Sequence, residues 1–285
     1  MKNIKIAIIG GSGVYEIEGI KILKELKIKT PFGLPSDKIR IGEFDGVKIA
    51  FLPRHAVGHK IMPTEVNSRA NIFALKKIGV EKIISISACG SLKEEIKPRD
   101  FVIPDQLFDR TKSRPSTFFG EGIVAHVGFA EPYCPQLRKI LIDTAKSLAL
   151  PVHAGGTYIC IEGPQFSTKA ESKVYRSLGF SVIGMTNLPE AKLAREAGIC
   201  FATVSLATDY DVWKEGEEVS AETVMANMKV LTENVKKLVK SVIVKLQDER
   251  NCSCKDALKY AIMTSPKAMN PITKKKISLL IKKYI

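Results

Sequence analysis

The chain has 285 residues, 45% hydrophobic and 26% charged, enough for one large domain with a real core and too apolar for disorder. Gly 20 and Pro 14 are ordinary counts, and no apolar run approaches the roughly 18 residues of a membrane span, so fibrous, low-complexity and transmembrane classes fall away. Forty-four Lys and Arg against thirty Asp and Glu give +14, but the excess is scattered Lys plus the tail from Lys267 to Lys283. With no Arg–aromatic stripe and no nucleic-acid motif, it argues against nucleic acid as a partner.

The first apolar stretch, Ile4 to Ile9, is too short for a signal-peptide core and runs into a glycine turn, so it reads as a strand and the protein as cytoplasmic. Further β-branched runs follow at Val47 to Leu52, Ile83 to Ala88, Phe101 to Ile103, Thr157 to Ile161, Phe180 to Ile183 and Ile199 to Ala207. Most are continuous rather than alternating, which suits strands buried on both faces. Helical patterns lie between them at Asn67 to Ile78, Gln136 to Ala149, Thr168 to Leu178 and Pro189 to Ala197. Val224, Met228, Leu231, Val235, Leu238, Val242 and Leu246 mark one face of a long helix from about Ser220 to Gln247. The expected fold is a single α/β domain, residues 1–247, with a central mixed, largely parallel sheet flanked by helices. Residues 248–285 carry two short helical patterns around Ser265-Pro266 and Asn270-Pro271 and no flexible linker, and are expected to pack on the same domain.

Chemistry-bearing residues gather at predicted strand ends. Gly10-Gly11-Ser12-Gly13 leaves backbone N–H groups and a small hydroxyl facing outward, although it matches neither the dinucleotide nor the Walker fingerprint. Pro53-Arg54-His55 puts a planar cation and an imidazole after the second predicted strand, where α/β sheets bind ligands. His55 and His59 are spaced like helical metal ligands, but the intervening Gly58 and the lack of a third ligand argue against metal. Ser87-Ala88-Cys89-Gly90-Ser91 lets a ligand approach the backbone, and Glu162-Gly163-Pro164-Gln165-Phe166-Ser167 adds an aromatic face for a flat ring. The sharpest feature is Asp209-Tyr210-Asp211 at the end of the most apolar strand. Residues two apart on an extended segment share a side, so the two carboxylates should converge and keep one proton near neutrality while Tyr210 turns away.

These segments together resemble the purine nucleoside phosphorylase superfamily, and within it the methylthioadenosine phosphorylases. The resemblance runs from Ala7 to about Leu246 through Gly-Gly-Ser-Gly, Pro-Arg-His-x-x-x-His, Ser-Ala-Cys-Gly-Ser-Leu, Ile-Glu-Gly-Pro-x-Phe-Ser, Gly-Met-Thr-x-x-Pro-Glu and Ala-Thr-Asp-Tyr-Asp-x-Trp, in family order. It implies that Ser12, Arg54, His55, Ser87 and Thr186 hold phosphate. Met185 would lie on the ribose, and Ala88, Cys89, Gly90, Phe166 and Ser167 around the purine, with His59 nearby. Val224 and Met225 resemble the methylthio pocket, and His126 a histidine lent to a neighbouring subunit of a homotrimer or homohexamer. Asp209 and Asp211 would be the catalytic pair. The implied reaction is reversible phosphorolysis of 5'-methylthioadenosine, with inorganic phosphate as substrate and no cofactor or metal; the alternative is a broader phosphorylase acting on adenosine, inosine or guanosine. Gly184 stands where an Asn often precedes Met-Thr, and Gln165 where Arg is frequent. An aspartate facing the base accepts from an exocyclic amine, which favours a 6-aminopurine.

Six cysteines remain. Cys89 and Cys160 sit in apolar strands and read as free thiols. Around Cys252-Ser253-Cys254 no second Cys or His pair is near in sequence, which argues against zinc and leaves a strained, readily reduced bridge. Abundant Ile, Lys and Glu with few Gln fit a heat-adapted composition. Similarity to heat-adapted family members implies the Cys252–Cys254 bridge and a second one between Cys134 and Cys200.

Overall fold

A computed structural model describes residues 4–11, 17–217, 219–247 and 249–285. Among the described residues eleven strands follow in order: β1 (Ile6–Gly10), β2 (Lys21–Leu26), β3 (Ile39–Phe44), β4 (Val47–Pro53), β5 (Lys82–Ser91), β6 (Phe101–Ile103), β7 (Gln106–Arg110), β8 (Val152–Ala154), β9 (Thr157–Ile161), β10 (Val182–Gly184) and β11 (Cys200–Asp209). The helices are α1 (Ser68–Lys77), α2 (Pro135–Ser147), α3 (Lys169–Ser177), α4 (Asn187–Glu196), α5 (Ala221–Lys245), α6 (Pro271–Lys276) and α7 (Ser278–Ile281). Helix starts follow their caps: the Asn67 side chain accepts the Ala70 N–H, Thr168 and Glu171 form a reciprocal capping box, and Ser220 accepts the Thr223 N–H.

One mixed sheet joins all the strands, and β5 is its hub. Its first half pairs parallel with β1, its end pairs antiparallel with β10, and its other edge pairs parallel with β11 along nearly its whole length. Beyond β1 the sheet continues through β4, β3 and β2; beyond β10 it continues through β9 and β7. The central strands are buried on both faces, so their alternate residues feed two cores. Ala7, Ile9 and Ile83 point into a core with α1 and α4, whereas Ile6, Ile8, Ile84 and Ile86 point into one with α2 and α5. Leu258, Ile277 and Ile281, from beyond the long helix, lie in the first of these cores.

The mixed, largely parallel sheet flanked by helices is the fold expected from the sequence. Four strands were not foreseen: β2, β3, β7 and β8. Strand β2 reads Lys-Ile-Leu-Lys-Glu-Leu and is almost wholly exposed, and β7 is exposed along most of its length. Such edge strands carry none of the apolar continuity that reveals a buried one. Among the described residues, no helix is long and apolar enough to cross a membrane.

Candidate active site

Strands β1, β4, β5 and β11 run parallel, so their C-terminal ends open on one side of the sheet. There they surround a cavity of about 730 Å³, closed further by residues after β9 and β10 and by the first turns of α5. It has the size and the largely apolar wall of a small-molecule site.

Arg54, 3% exposed, follows β4 directly. Its Nε and Nη2 grip the two oxygens of Glu190 at 2.5 and 3.0 Å, Nη2 also donates to Ser85 Oγ at 2.7 Å, and Nη1 donates to the Ile86 carbonyl at 3.1 Å. Four of its five N–H donors are thereby used on the chain's own described groups, which fixes the guanidinium plane and leaves one donor on Nη1. Glu190 is itself 1% exposed, so this is a buried, bidentate ion pair.

His55 stacks on His59, ring centroids 4.5 Å apart, and its Nδ1 lies 2.8 Å from the Ile61 carbonyl. A carbonyl can only accept, so Nδ1 carries the proton. Burial, with Arg54 beside it, pushes the imidazole down to about 4, so His55 is neutral at pH 7 and Nε2 is an acceptor. On the same cavity wall, the hydroxyl of Thr186 is buried without a hydrogen-bond partner among the described residues, and the Ser87 hydroxyl donates to the Ala88 carbonyl at a long 3.3 Å.

The carboxylates occupy the end of β11. Asp209 Oδ2 accepts from the Thr208 hydroxyl at 2.7 Å and Oδ1 from the Asp211 N–H at 2.8 Å. Asp211 sits past the strand with φ +50°, and its Oδ2 and the Ser167 hydroxyl are both buried with no hydrogen-bond partner among the described residues. Desolvation raises both aspartates above the ordinary carboxylate range, and for Asp211 the charge of Asp209 adds a smaller push. The pair does converge on one cavity, but by a turn after a β-bulge at Ala207/Asp209 rather than by continued extended backbone, and burial outweighs mutual repulsion. Tyr210 turns away, edge-on to Trp213. Gly90 makes room here, because a Cβ on it would come 2.9 Å from Asp209 Oδ1.

Residues 5–244 match the phosphorylase superfamily. The chain belongs to it. A protein of Geobacter sulfurreducens called S-methyl-5'-thioadenosine phosphorylase is 51% identical over 282 residues, 98% of this chain and 99% of that one. One of the same name from Pyrococcus abyssi is 55% identical over 256 residues, covering 90% and 98%. Among solved structures, a methylthioadenosine phosphorylase from an antarctic soil metagenomic library superposes with a TM-score of 0.94 at 48% identity, covering 98% of this chain and 99% of that one. The Schistosoma mansoni methylthioadenosine phosphorylase in complex with adenine gives 0.84 at 34%, covering 99% of each chain.

Within this superfamily member, Arg54, His55, His59, Ser87, Ala88, Cys89, Gly90, Phe166, Ser167, Met185, Thr186, Asp209, Asp211, Val224 and Met225 all line the one cavity. Ser12 lies outside the described residues. His126 is exposed and does not line it; its segment is tied to the C-terminal region by a backbone bond from His126 N–H to the Ala261 carbonyl at 2.8 Å.

Three side chains that shape the site were not singled out from sequence. Glu190 locks Arg54, and its only signal was its place in the Pro-Glu ending of one motif. Arg114, from a loop with no motif, spends all five N–H donors on Glu162 Oε1 and on the carbonyls of Ile161, Glu162, Met185 and Leu188, clamping the two loops that carry Phe166 and Met185. Tyr158 explains Gly184: a Cβ on Gly184 would stand 1.9 Å from the Tyr158 hydroxyl, so the phenol fills the space that a side chain at this position would need. The cysteines also differ from expectation. All six are free thiols, so neither the Cys252–Cys254 nor the Cys134–Cys200 bridge is formed.

Proposed function

We infer that the chain catalyses the reversible phosphorolysis of 5'-methylthioadenosine to adenine and 5-methylthioribose 1-phosphate, as a phosphate-using pentosyltransferase. The observation that carries this is one cavity with Arg54, Thr186 and Ser87 on its wall together with two buried aspartates, both raised by desolvation, and the apolar Val224 and Met225. The names of relatives about 50% identical over nearly the full length agree with it.

In this reading phosphate binds against the remaining Nη1 donor of Arg54 and the hydroxyls of Ser87 and Thr186, and the family resemblance assigns Ser12, which lies outside the described residues, to the same anion. Neutral His55 offers Nε2 to the one O–H of a phosphate dianion, so the imidazole orients the nucleophile instead of supplying a charge. Phosphate waits below the sugar while the bond to the base stretches and the ribose gains oxocarbenium character. Asp209 holds the proton that the departing purine needs at its imidazole-side nitrogen, and Asp211, through the oxygen that lacks a partner among the described residues, accepts from the exocyclic amine. Phe166 covers the base, Met185 the ribose, and Val224 with Met225 the methylthio group. Neither metal nor cofactor takes part in these steps. A cytoplasmic homotrimer or homohexamer in which His126 completes a neighbour's site accounts for a histidine that faces away from its own cavity and for Met225 standing 73% exposed in one subunit.

The test is product analysis of methylthioadenosine, adenosine and inosine with and without phosphate. Adenine release that requires phosphate and is fastest with methylthioadenosine is expected. Release without phosphate, or preference for inosine, refutes the reading. Light scattering should report at least a trimer, and His126→Ala should weaken methylthioadenosine binding while sparing phosphate binding.

A further inference from the structure

Far from each other in sequence, Cys134, Cys200, Cys252 and Cys254 bring their four sulfur atoms to within 4.8 Å of one another. Sequence spacing alone concealed this, because Cys-Ser-Cys has no second pair within reach until the chain folds. Cys134 caps the N-terminus of α2, Cys200 opens β11, and the other two come from the 3-10 turn Ser253–Asp256 and the residue before it. Three of the four are buried and Cys252 is partly exposed, which gives the cluster one door to solvent.

We propose that these four cysteines form a tetrathiolate site for a soft divalent cation, Zn²⁺ by preference. A tetrahedral ion with Zn–S bonds of about 2.3 Å needs sulfurs about 3.8 Å apart, and that is the scale of the cluster. The pair Cys200 and Cys252 stand 3.3 Å apart, beyond the roughly 2.05 Å of a covalent disulfide. Four sulfurs with no carboxylate or imidazole among them select zinc-like ions over Mg²⁺ or Ca²⁺.

The ligands stand on fixed backbone. The Cys134 N–H donates to the Phe201 carbonyl at 2.8 Å, tying the first two positions together. Gln136 reaches from α2 to the Glu249 carbonyl and the Asn251 N–H, and Arg250 donates to the Gly198 carbonyl at 2.8 Å, so the Cys-x-Cys turn is held against both. Lys82 is the parallel-strand partner of Cys200 in the β5–β11 register, and its buried ammonium donates to the Leu246 carbonyl at 2.7 Å, so the strand start that carries Cys200 is held on that side as well. The site lies away from the catalytic cavity, and its role is to fasten residues 249–285 to β11 and α2.

The experiment uses the full chain, reduced with a phosphine under anaerobic conditions and titrated with Co²⁺ and then Zn²⁺. One Co²⁺ per chain is expected, with sulfur-to-cobalt charge transfer and the ligand-field bands of a tetrahedral thiolate, and Zn²⁺ should bleach both. Cys252→Ser, the variant at the partly exposed ligand, should fold by circular dichroism and bind Co²⁺ at least about a hundredfold more weakly, since losing a ligand should exceed the 10–100-fold cost of an outer-shell change. Zn²⁺ should also slow proteolysis beyond residue 248 in the parent and not in the variant. A reduced chain that takes up no stoichiometric metal overturns the proposal, as does a Cys252→Ser chain with unchanged Co²⁺ affinity.

Discussion

Replacing Asp209 by Asn separates the proton from the geometry around it. In the parent, Oδ1 accepts from the Asp211 N–H and Oδ2 meets the Thr208 hydroxyl, which also lies 3.2 Å from the Cys89 carbonyl. An Asn side chain keeps every link: its oxygen accepts from Asp211, its amide donates to Thr208, and Thr208 turns its own proton to Cys89. What disappears is the acidic proton. Burial raises the Asp209 pKa, so the folded state retains a proton between the ordinary value and the raised one, and stability falls as pH rises through that window. Above it the fold carries a buried charge that Asn does not have. Asp209→Asn is therefore expected to melt at the same temperature as the parent or higher at pH 7.5, while kcat for methylthioadenosine drops by about a hundredfold, or about 2.7 kcal/mol, the lower end for losing a general acid. Asp209→Ala is the contrast. It orphans the buried Asp211 N–H at a cost of about 1–3 kcal/mol, so it should lose both turnover and several degrees of melting temperature. Calorimetry and steady-state adenine release on the two variants decide the matter. Unchanged turnover in Asp209→Asn, or a loss of turnover matched by an equal loss of stability in both variants, would refute the assignment.

Glu190→Gln leaves the buried Arg54 without its counter-charge and should cost about 3–5 kcal/mol, a deficit that phosphate should partly restore in a thermal-shift assay if the guanidinium serves the anion site. Gly184→Asn should yield an unstable, inactive protein because of the Tyr158 hydroxyl, and Tyr158→Val in the same chain should recover folding; recovery of activity toward inosine would locate base selection at this pair. His55, held down at about 4, is neutral in the folded protein across a window where the unfolded chain binds a proton. Stability should therefore rise by about 3 kcal/mol from pH 4 to pH 6.5 on account of this residue, and denaturant unfolding of His55→Gln should show a correspondingly flatter profile.

The residues legible in the sequence were those whose role is local. Apolar continuity in Ile83 to Ala88 and Ile199 to Ala207 located β5 and β11 to within a few residues, because strands covered on both faces leave no polar alternation. Small residues and hydroxyls at their ends marked the cavity for the same reason: only there does the parallel sheet expose backbone. Strand β2, whose side chains all face water or its rim, has nothing to hide and so nothing to announce. The Asp209/Asp211 pair shows a right placement reached by an incomplete argument, since alternation along an extended segment ends at Asp209 and a left-handed turn does the rest.

What the sequence withheld is the wiring between distant positions. Glu190 lies 136 residues from Arg54, and Arg114 clamps carbonyls 47 to 74 residues away, so neither spacing nor periodicity can connect them. The cysteines make the same point with opposite consequence. Read along the chain, Cys252 and Cys254 are an isolated pair; in the fold, β11 and α2 bring two further sulfurs to within 4.8 Å of them. An argument from the absence of nearby ligands therefore holds only within one element, whereas the meeting of strand starts and helix caps at one edge of a sheet decides which distant side chains become neighbours.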